Sequence, residues 1–253
     1  MPEYILTAEH LKKVFRGREK YGKKGKDICA VEDVSFCLRK GESLGLIGES
    51  GSGKSTVAYM TAGLLKPTEG TIHFYGNYMQ MVFQDPIKSL NPHRTVLDNI
   101  CEGLIYRKNG KSMAEIRKLA LEAMDLVHLD RSYAGRKGRE LSGGECQRAT
   151  IARAILIKPE LLICDEVTSA LDVSVQAQIM ELLSELKRQM GLSYLFISHD
   201  IALVSHFCDR VAVMYRGRIV EEGATGQVLE YPQQEYTKQR SCRISIIIML
   251  PRL

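Results

Sequence analysis

Residues 42–65 read ESLGLIGESGSGKSTVAYMTAGLL, and this stretch decides the fold. The run 42–47 is short and largely apolar, which predicts a buried strand, and 55–65 predicts a helix. Between them, residues 48–55 fit the phosphate-loop pattern G-x-x-x-x-G-K-[ST]. Strand, glycine loop and helix stand in the order that this pattern requires. The sequence therefore predicts an α/β core that holds nucleotide phosphates.

The chemistry of this loop follows from its residue types. Successive backbone N–H groups from Ser50 to Ser55 can point at phosphate oxygens, because glycines let the loop curl and a helix N-terminus favours anions. Lys54 supplies a charge for the β- and γ-phosphates, and the Ser55 hydroxyl is a ligand for Mg²⁺. The residues expected to bind the nucleotide here are Gly48, Ser50, Gly51, Ser52, Gly53, Lys54, Ser55 and Thr56.

Strand and helix patterns alternate along the rest of the chain, which predicts a largely parallel α/β fold. Residues 86–145 have a helical and loop character and are predicted to form an inserted subdomain. In the helix expected at 112–128, one face carries Ile116, Leu119, Ala123 and Val127. Further strands are expected near 4–6, 30–38, 71–74, 161–164 and 193–198, a hairpin at 210–215 and 218–221, and helices at 145–157 and 173–190.

Composition and length indicate a globular protein. The chain has 253 residues, of which 45% are hydrophobic and 26% charged, without a repeat. No stretch reaches the roughly 20 apolar residues that span a bilayer, no secretory signal is visible, and the seven cysteines form no C-x-x-C pair. We expect a cytosolic protein with one domain over 1–240 and an atypical tail at 241–253.

The net charge of +5 is unevenly distributed. Residues 12–26 hold eight Lys or Arg against one Glu. A solvated loop between two strands is one interpretation, and contact with anionic lipid headgroups or nucleic acid is the other. No RNA-binding or helix-turn-helix pattern supports a nucleic-acid partner, so none is expected.

Three polar positions follow predicted strands. Asp165 and Glu166 end the apolar run at 161–164, which suits Asp165 to position Mg²⁺ and Glu166 to polarise the attacking water. His199 follows 193–198, and the carboxyl ends of parallel strands are where α/β sheets gather active groups. Gln84, in MVFQDP, is placed to sense the γ-phosphate or its Mg²⁺.

Residues 141–148, LSGGECQR, add the most specific motif. With GESGSGKST and LLICDE, they make the chain similar to the nucleotide-binding subunit of ABC transporters from about residue 4 to 239. The resemblance assigns Walker A to the phosphate loop and Walker B to 161–166. It also assigns the Q-loop (Gln84), the signature (Ser142, Gly143, Gly144), the D-loop (169–172, with Asp172), the switch histidine (His199) and an adenine-stacking aromatic (Phe15, with Tyr21 as the rival).

The resemblance implies an ATP-hydrolysing P-loop domain of the ABC type, with an antiparallel β subdomain, an inserted α-helical subdomain, and ATP and Mg²⁺ as ligands. Two such subunits sandwich two ATP molecules, so Ser142, Gly143 and Gly144 would act on the partner's nucleotide. The implied partners are a second ATPase (a heterodimer favoured, a homodimer possible), permease subunits and, indirectly, a solute-binding protein. The expected location is the cytoplasmic face of the cell membrane.

Residues 82–96, VFQDPIKSLNPHRTV, and 235–239, EYTKQ, are similar to the peptide and nickel importer branch of that family. This implies uptake of peptides or of nickel or other metal chelates. An ABC ATPase that acts on nucleic acid or ribosomes is the alternative, but such proteins usually carry two ATPase units or a long coiled coil. A non-catalytic regulatory partner is a second alternative, against which Lys54 and Glu166 argue.

Three features depart from the pattern or leave a choice open. Only residues 77–79 separate GTIHFYG from QMVFQDP, which predicts a trimmed surface loop. After Gln239 the pattern stops, which indicates a truncated or altered C-terminus. Cys146, in the first turn of the signature helix, is either an inert residue or a thiol whose pKa the helix lowers.

Overall fold

The computed structural model describes residues 3–17, 25–107 and 110–239. The chain divides into two units, Met1–Tyr75 with Ser193–Leu253, and Gly76–Leu192. The predicted tail at 241–253 and residues 18–24 of the basic segment lie outside the described residues, as does Tyr21. The prediction of one domain over 1–240, with a helical part at 86–145, stays a prediction.

The first unit is built on one sheet. Its strands are β1 (Tyr4–Phe15), β2 (Ile28–Arg39), β3 (Ser43–Gly48), β4 (Glu69–Phe74), β7 (Ser193–Ser198), β8 (Arg210–Tyr215) and β9 (Arg218–Ala224). Their spatial order is β4-β1-β2-β9-β8-β3-β7. The β4-β1-β2 part is antiparallel, and β3 lies parallel to both β8 and β7. Every residue of β3 and β7 is buried, which explains why both read as continuous buried runs.

Three helices belong to this unit: α1 (Lys54–Thr61), α7 (Ile201–Phe207) and α8 (Thr225–Glu230). The prediction for α1 ran four residues too far. The helix ends at Thr61 with Ala62 as its C-cap, and Gly63 follows with a φ of +73°, a left-handed conformation that stops the helix. Phe207 of α7 packs against Tyr194 and Phe196 of β7, with ring centroids 5.1 Å apart in both pairs.

The second unit contains two parallel strands and the helical part. Its elements are β5 (Met79–Val82), β6 (Leu161–Asp165), α2 (Pro86–Ser89), α3 (Val96–Ile105), α4 (Met113–Leu126), α5 (Gly143–Ile155) and α6 (Val173–Met190), with two 3₁₀ turns at 131–135 and 138–140. The helices α3, α4 and α5 pack on one another. The residues that α3 and α4 bury include Ile100, Leu104, Ile116, Ala120 and Met124.

The predicted face of α4 is wrong at one position. Ala120 is fully buried, whereas Leu119 is only half-buried. The helix begins at a capping box in which the Ser112 hydroxyl accepts from Glu115 N and the Glu115 carboxylate accepts from Ser112 N. In the helix that begins at this cap, Ile116, Ala120 and Ala123 lie on the buried face.

The sequence patterns missed β5, α3 and α7 because each is short or flanked by polar residues. They also understated β1, whose register against β2 shifts at bulges, one of them near His10 with its φ of +50°. The short connection before β5 is held by two hydrogen bonds, in which Asn77 N and Nδ2 donate to the Glu160 carboxylate at 2.8 and 2.9 Å. Among the described residues, no helix is long and apolar enough to cross a membrane.

Candidate functional site

The phosphate loop connects the buried strand β3 to the first turn of α1. Lys54, at that turn, is 4% exposed. Its Nζ donates to the carbonyl oxygens of Gly48 at 2.9 Å and Glu49 at 2.8 Å, so the ammonium lies across the loop that precedes it. A compact positive charge held this way over a ring of backbone amides is suited to bind phosphate oxygens.

Two residues of the phosphate loop, Gly53 and Ser52, show why the loop depends on particular residue types. Gly53 has a φ of +105°, and a Cβ there would lie 2.4 Å from the carbonyl oxygen of Ala30. Any other residue would push β2 away from the loop. The Ser52 hydroxyl is buried and has no hydrogen-bond partner among the described residues, which leaves one polar group of the loop for a ligand.

His199 lies beside the phosphate loop in the same unit. β3 and β7 are parallel neighbours, and Ile47 pairs with Ser198. The next residues are Gly48, the last of β3, and His199, directly after β7, so both lie at the same edge of the sheet. The side chain of His199 is exposed there, and Asp200 caps the following helix by accepting from Ala202 N and Leu203 N.

In the second unit, β5 and β6 bring Gln84 and Glu166 together. Val82 pairs with Cys164, and Gln84 and Glu166 each lie two positions beyond that pair. Gln84 Nε2 donates to Glu166 Oε2 at 3.0 Å. Glu166 has a φ of +48°, an uncommon backbone conformation outside glycine, and Asp165 before it is 1% exposed. The Asp165 side chain is therefore buried, whereas that of Glu166 is half-buried.

Ser142 is the N-cap of α5, which begins at Gly143, two residues before the predicted start at 145. Its hydroxyl accepts from Glu145 N at 3.4 Å, and the Glu145 carboxylate accepts from Ser142 N at 2.7 Å. Glu145 was not among the predicted site residues, although a Ser followed by Glu three residues later is a capping-box signal. Gly143 and Gly144 therefore form the first turn of the helix.

The signature glycines pack against the segment that carries Asp172. A Cβ on Gly143 would lie 3.3 Å from Leu171, and one on Gly144 would lie 2.8 Å from Val175. Asp172 is the N-cap of α6 and accepts from Val175 N at 2.9 Å. The Ser174 hydroxyl and that N–H lower the pKa of Asp172, so it stays ionised. Two motifs far apart in sequence meet here.

Phe15 ends β1 and is 41% exposed, with Lys13 Nζ 5.5 Å from the ring centroid. An exposed ring face is what adenine stacking requires. The described residues contain no cluster of three or more His, Cys, Asp or Glu that could hold a metal. Mg²⁺ in nucleotide sites typically needs only one or two carboxylates beside phosphates and water.

The low-pKa alternative for Cys146 is wrong. The thiol is 1% exposed, and burial raises its pKa to about 11. Desolvation of the thiolate outweighs the effect of the helix N-terminus.

These motifs place the chain in the class of P-loop ATPases that carry a signature helix. The model of the ABC transporter family matches residues 31–169. The chain belongs to the ABC transporter family, and it is an ATP-binding subunit that hydrolyses ATP.

The chain is similar to the oligopeptide transport ATP-binding protein OppF of Bacillus subtilis, with 42% identity over 94% of this chain and 81% of that protein. It is 43% identical to the probable D,D-dipeptide transport ATP-binding protein DdpF of Escherichia coli, over 94% of this chain and 78% of that protein. A solved dimeric, post-hydrolysis structure of the ATP-binding cassette MJ0796 with ADP and Pi matches with a TM-score of 0.77 at 29% identity, over 87% of this chain and 98% of that one.

Proposed function

We propose that this chain is the ATPase subunit of an ABC importer for peptides. The observation that carries the proposal is the 42% identity with OppF over 94% of the chain. Similarity to DdpF, whose name also specifies a peptide cargo, points the same way. Nickel or another metal chelate is the second cargo class, which rests on the resemblance of residues 82–96 and 235–239 to the peptide and nickel importer branch.

In the proposed reaction, water attacks the γ-phosphate of ATP and ADP leaves. Lys54 stabilises charge on the β- and γ-phosphates, Glu166 polarises the water, and His199 contacts the γ-phosphate. Phe15 stacks on adenine. Ser55, Gln84 and Asp165 would hold Mg²⁺, which supplies charge neutralisation on the phosphate oxygens; hydroxyl, amide and carboxylate oxygens are the ligand types that this ion prefers.

The proposal includes a second ATPase subunit. The capped N-terminus of α5, with Ser142, Gly143 and Gly144 at its first turn, is suited to bind an anion that another subunit presents. The MJ0796 cassette is itself dimeric in its ADP and Pi complex. We favour a heterodimer with a related ATPase, with a homodimer as the alternative, docked on permease subunits at the cytoplasmic face of the membrane and served by a solute-binding protein.

Affinity capture tests the assembly. Tagged Glu166→Gln protein is purified from detergent-solubilised membranes with MgATP, and the partners are identified by mass spectrometry. Tagged Glu181→Gln, which changes an exposed residue of α6, is the matched control. We expect two permeases and a second ATPase. Recovery of ribosomal or DNA-bound proteins without a membrane protein would instead support the alternative of a non-transport ABC ATPase.

Reconstitution tests the cargo. The captured wild-type complex in proteoliposomes, supplied with its binding protein and MgATP, should take up a labelled oligopeptide. Uptake of Ni²⁺ chelate with no uptake of peptides would replace the peptide proposal by the metal one. The same vesicles with Glu166→Gln protein should show no uptake of either cargo.

A further inference from the structure

The segment 233–239, here called the C-terminal strap, reaches back to the phosphate loop. Glu49 N donates to the Tyr236 hydroxyl oxygen at 3.1 Å, a contact between residues 187 positions apart. The Tyr236 ring packs against Tyr215 of β8, with centroids 4.3 Å apart and planes inclined by 34°. Ring packing fixes where the hydroxyl lies, and the hydroxyl in turn meets the second residue of the loop.

The strap is anchored on its other side by β9. The Glu221 carboxylate accepts from Gln233 N at 2.8 Å and Gln234 N at 3.2 Å. Burial raises the pKa of Glu221, but hydrogen bonds from these N–H groups, together with the Thr237 hydroxyl and the nearby charge of Lys238, outweigh it and lower the pKa, so the anchor is a carboxylate. Lys238 N donates to Gln234 O at 3.0 Å, which continues the strap as a helical turn around Tyr236.

The Gly48–Glu49 peptide unit makes hydrogen bonds with both Tyr236 and Lys54. The N–H of Glu49 and the C=O of Gly48 belong to one amide. Tyr236 accepts from that N–H, and Lys54 Nζ donates to that C=O at 2.9 Å. Hydrogen bonds at both ends of an amide polarise each other, and the plane of the amide sets where its oxygen points.

We propose that Tyr236 is a positioning residue for Lys54: its hydroxyl holds the Gly48–Glu49 peptide in the orientation that keeps the ammonium over the phosphate loop. Tyr236 does not itself contact the nucleotide. The affinity for nucleotide therefore depends on how the C-terminal strap packs. This inference rests on the proposed binding of ATP phosphates by residues 48–56.

The test compares three variants of the full chain. Tyr236→Phe keeps the ring on Tyr215 and removes only the hydroxyl. Tyr231→Phe makes the same change at a residue that is 70% exposed and serves as the matched control. Glu221→Gln weakens the strap anchor without changing Tyr236 or the loop. Calorimetry with MgATP gives the Kd of each, and thermal unfolding confirms that each is folded at the temperature used.

We expect Tyr236→Phe to raise the Kd for MgATP about fivefold, the effect of one lost hydrogen bond. Glu221→Gln should raise it by a smaller factor, and Tyr231→Phe should leave it unchanged. In the assembled complex, Tyr236→Phe should raise KM for ATP with kcat kept within about twofold. A purely structural loss would instead reduce the active fraction, which lowers apparent kcat at unchanged KM.

Two outcomes are distinguishable. If wild-type protein fails to bind MgATP, the proposed function itself is wrong. If wild-type protein binds MgATP and the Kd of Tyr236→Phe lies within twofold of the wild-type Kd, the proposed function stands and the positioning role of Tyr236 is overturned. An equal loss in Tyr231→Phe would also overturn it, because that residue has no place in the strap.

Discussion

Gln84 Nε2 donates a hydrogen bond to Glu166 Oε2 at 3.0 Å, and each residue lies two positions beyond the paired residues Val82 of β5 and Cys164 of β6. The proposed γ-phosphate sensor is thus bonded to the proposed general base. A change in the orientation of the Gln84 side chain, on nucleotide binding or permease contact, would change the environment of the base directly. If Gln84 and Glu166 have the proposed roles, we infer that this hydrogen bond couples the segment before α2 to hydrolysis.

Replacing this donor by a carboxylate tests the pairing. In Gln84→Glu, the amide donor is lost and a second carboxylate lies at hydrogen-bonding distance from Glu166, so two like charges repel each other there. We expect kcat of the assembled complex to be about tenfold lower in Gln84→Glu than in Gln84→Ala, which removes the donor without adding a charge. Steady-state ATPase assays measure both variants. Equal kcat values would show that the contact does not persist during turnover.

If Glu166 is the general base, its replacement should slow ATP hydrolysis without weakening ATP binding. Glu166→Gln should slow ATP turnover by the roughly 100- to 10,000-fold typical of a lost general base. Because the amide is nearly isosteric, the Kd for MgATP should change little. Steady-state ATPase assays of the assembled complex measure the first effect and calorimetry the second. Glu181→Gln is the control, and wild-type turnover in Glu166→Gln would refute the role.

The capping role of Ser142 can be separated from its proposed role in hydrolysis, because Ser112 begins a second helix with the same Ser-x-x-Glu capping box. Ser142→Ala and Ser112→Ala each remove the hydroxyl of a Ser-x-x-Glu cap, at α5 and α4. Each should lower the free energy of unfolding by about 1 kcal/mol, measured by urea denaturation. Only Ser142→Ala should also reduce ATPase activity of the complex, by about tenfold or more. Equal losses of activity would mean that Ser142 is a cap alone.

The cysteines should differ in reactivity with alkylating reagents. Cys29 is exposed, whereas Cys146 and Cys164 are buried, and burial raises the pKa of both of these thiols. The thiolate is the reactive form, and at neutral pH a thiol with a pKa of about 11 has almost none. Mass spectrometry after brief treatment of native protein with N-ethylmaleimide should find Cys29 modified and Cys146 unmodified. Labelling of Cys146 at the rate of Cys29 would contradict the described burial.

Most of the core could be predicted because its strands are buried on both faces. β3, β6 and β7 are continuous runs of buried residues flanked by turns, and the amphipathic helix α6 ends at Gly191 as expected. Propensity and periodicity agree at these elements. The helical insert was less predictable, because α3 and the rotation of α4 depend on caps and on packing among α3, α4 and α5.

The sequence by itself determined the class of chemistry, because phosphate loops and signature helices depend on residue types at fixed local spacing: Gly53 for a left-handed turn, Lys54 for charge and Ser142 for a cap. Only the tertiary structure decided which of these groups touch. The Gln84–Glu166 and Glu49–Tyr236 hydrogen bonds join residues 82 and 187 positions apart. Such contacts depend on sheet order and strand register, which local preferences do not encode.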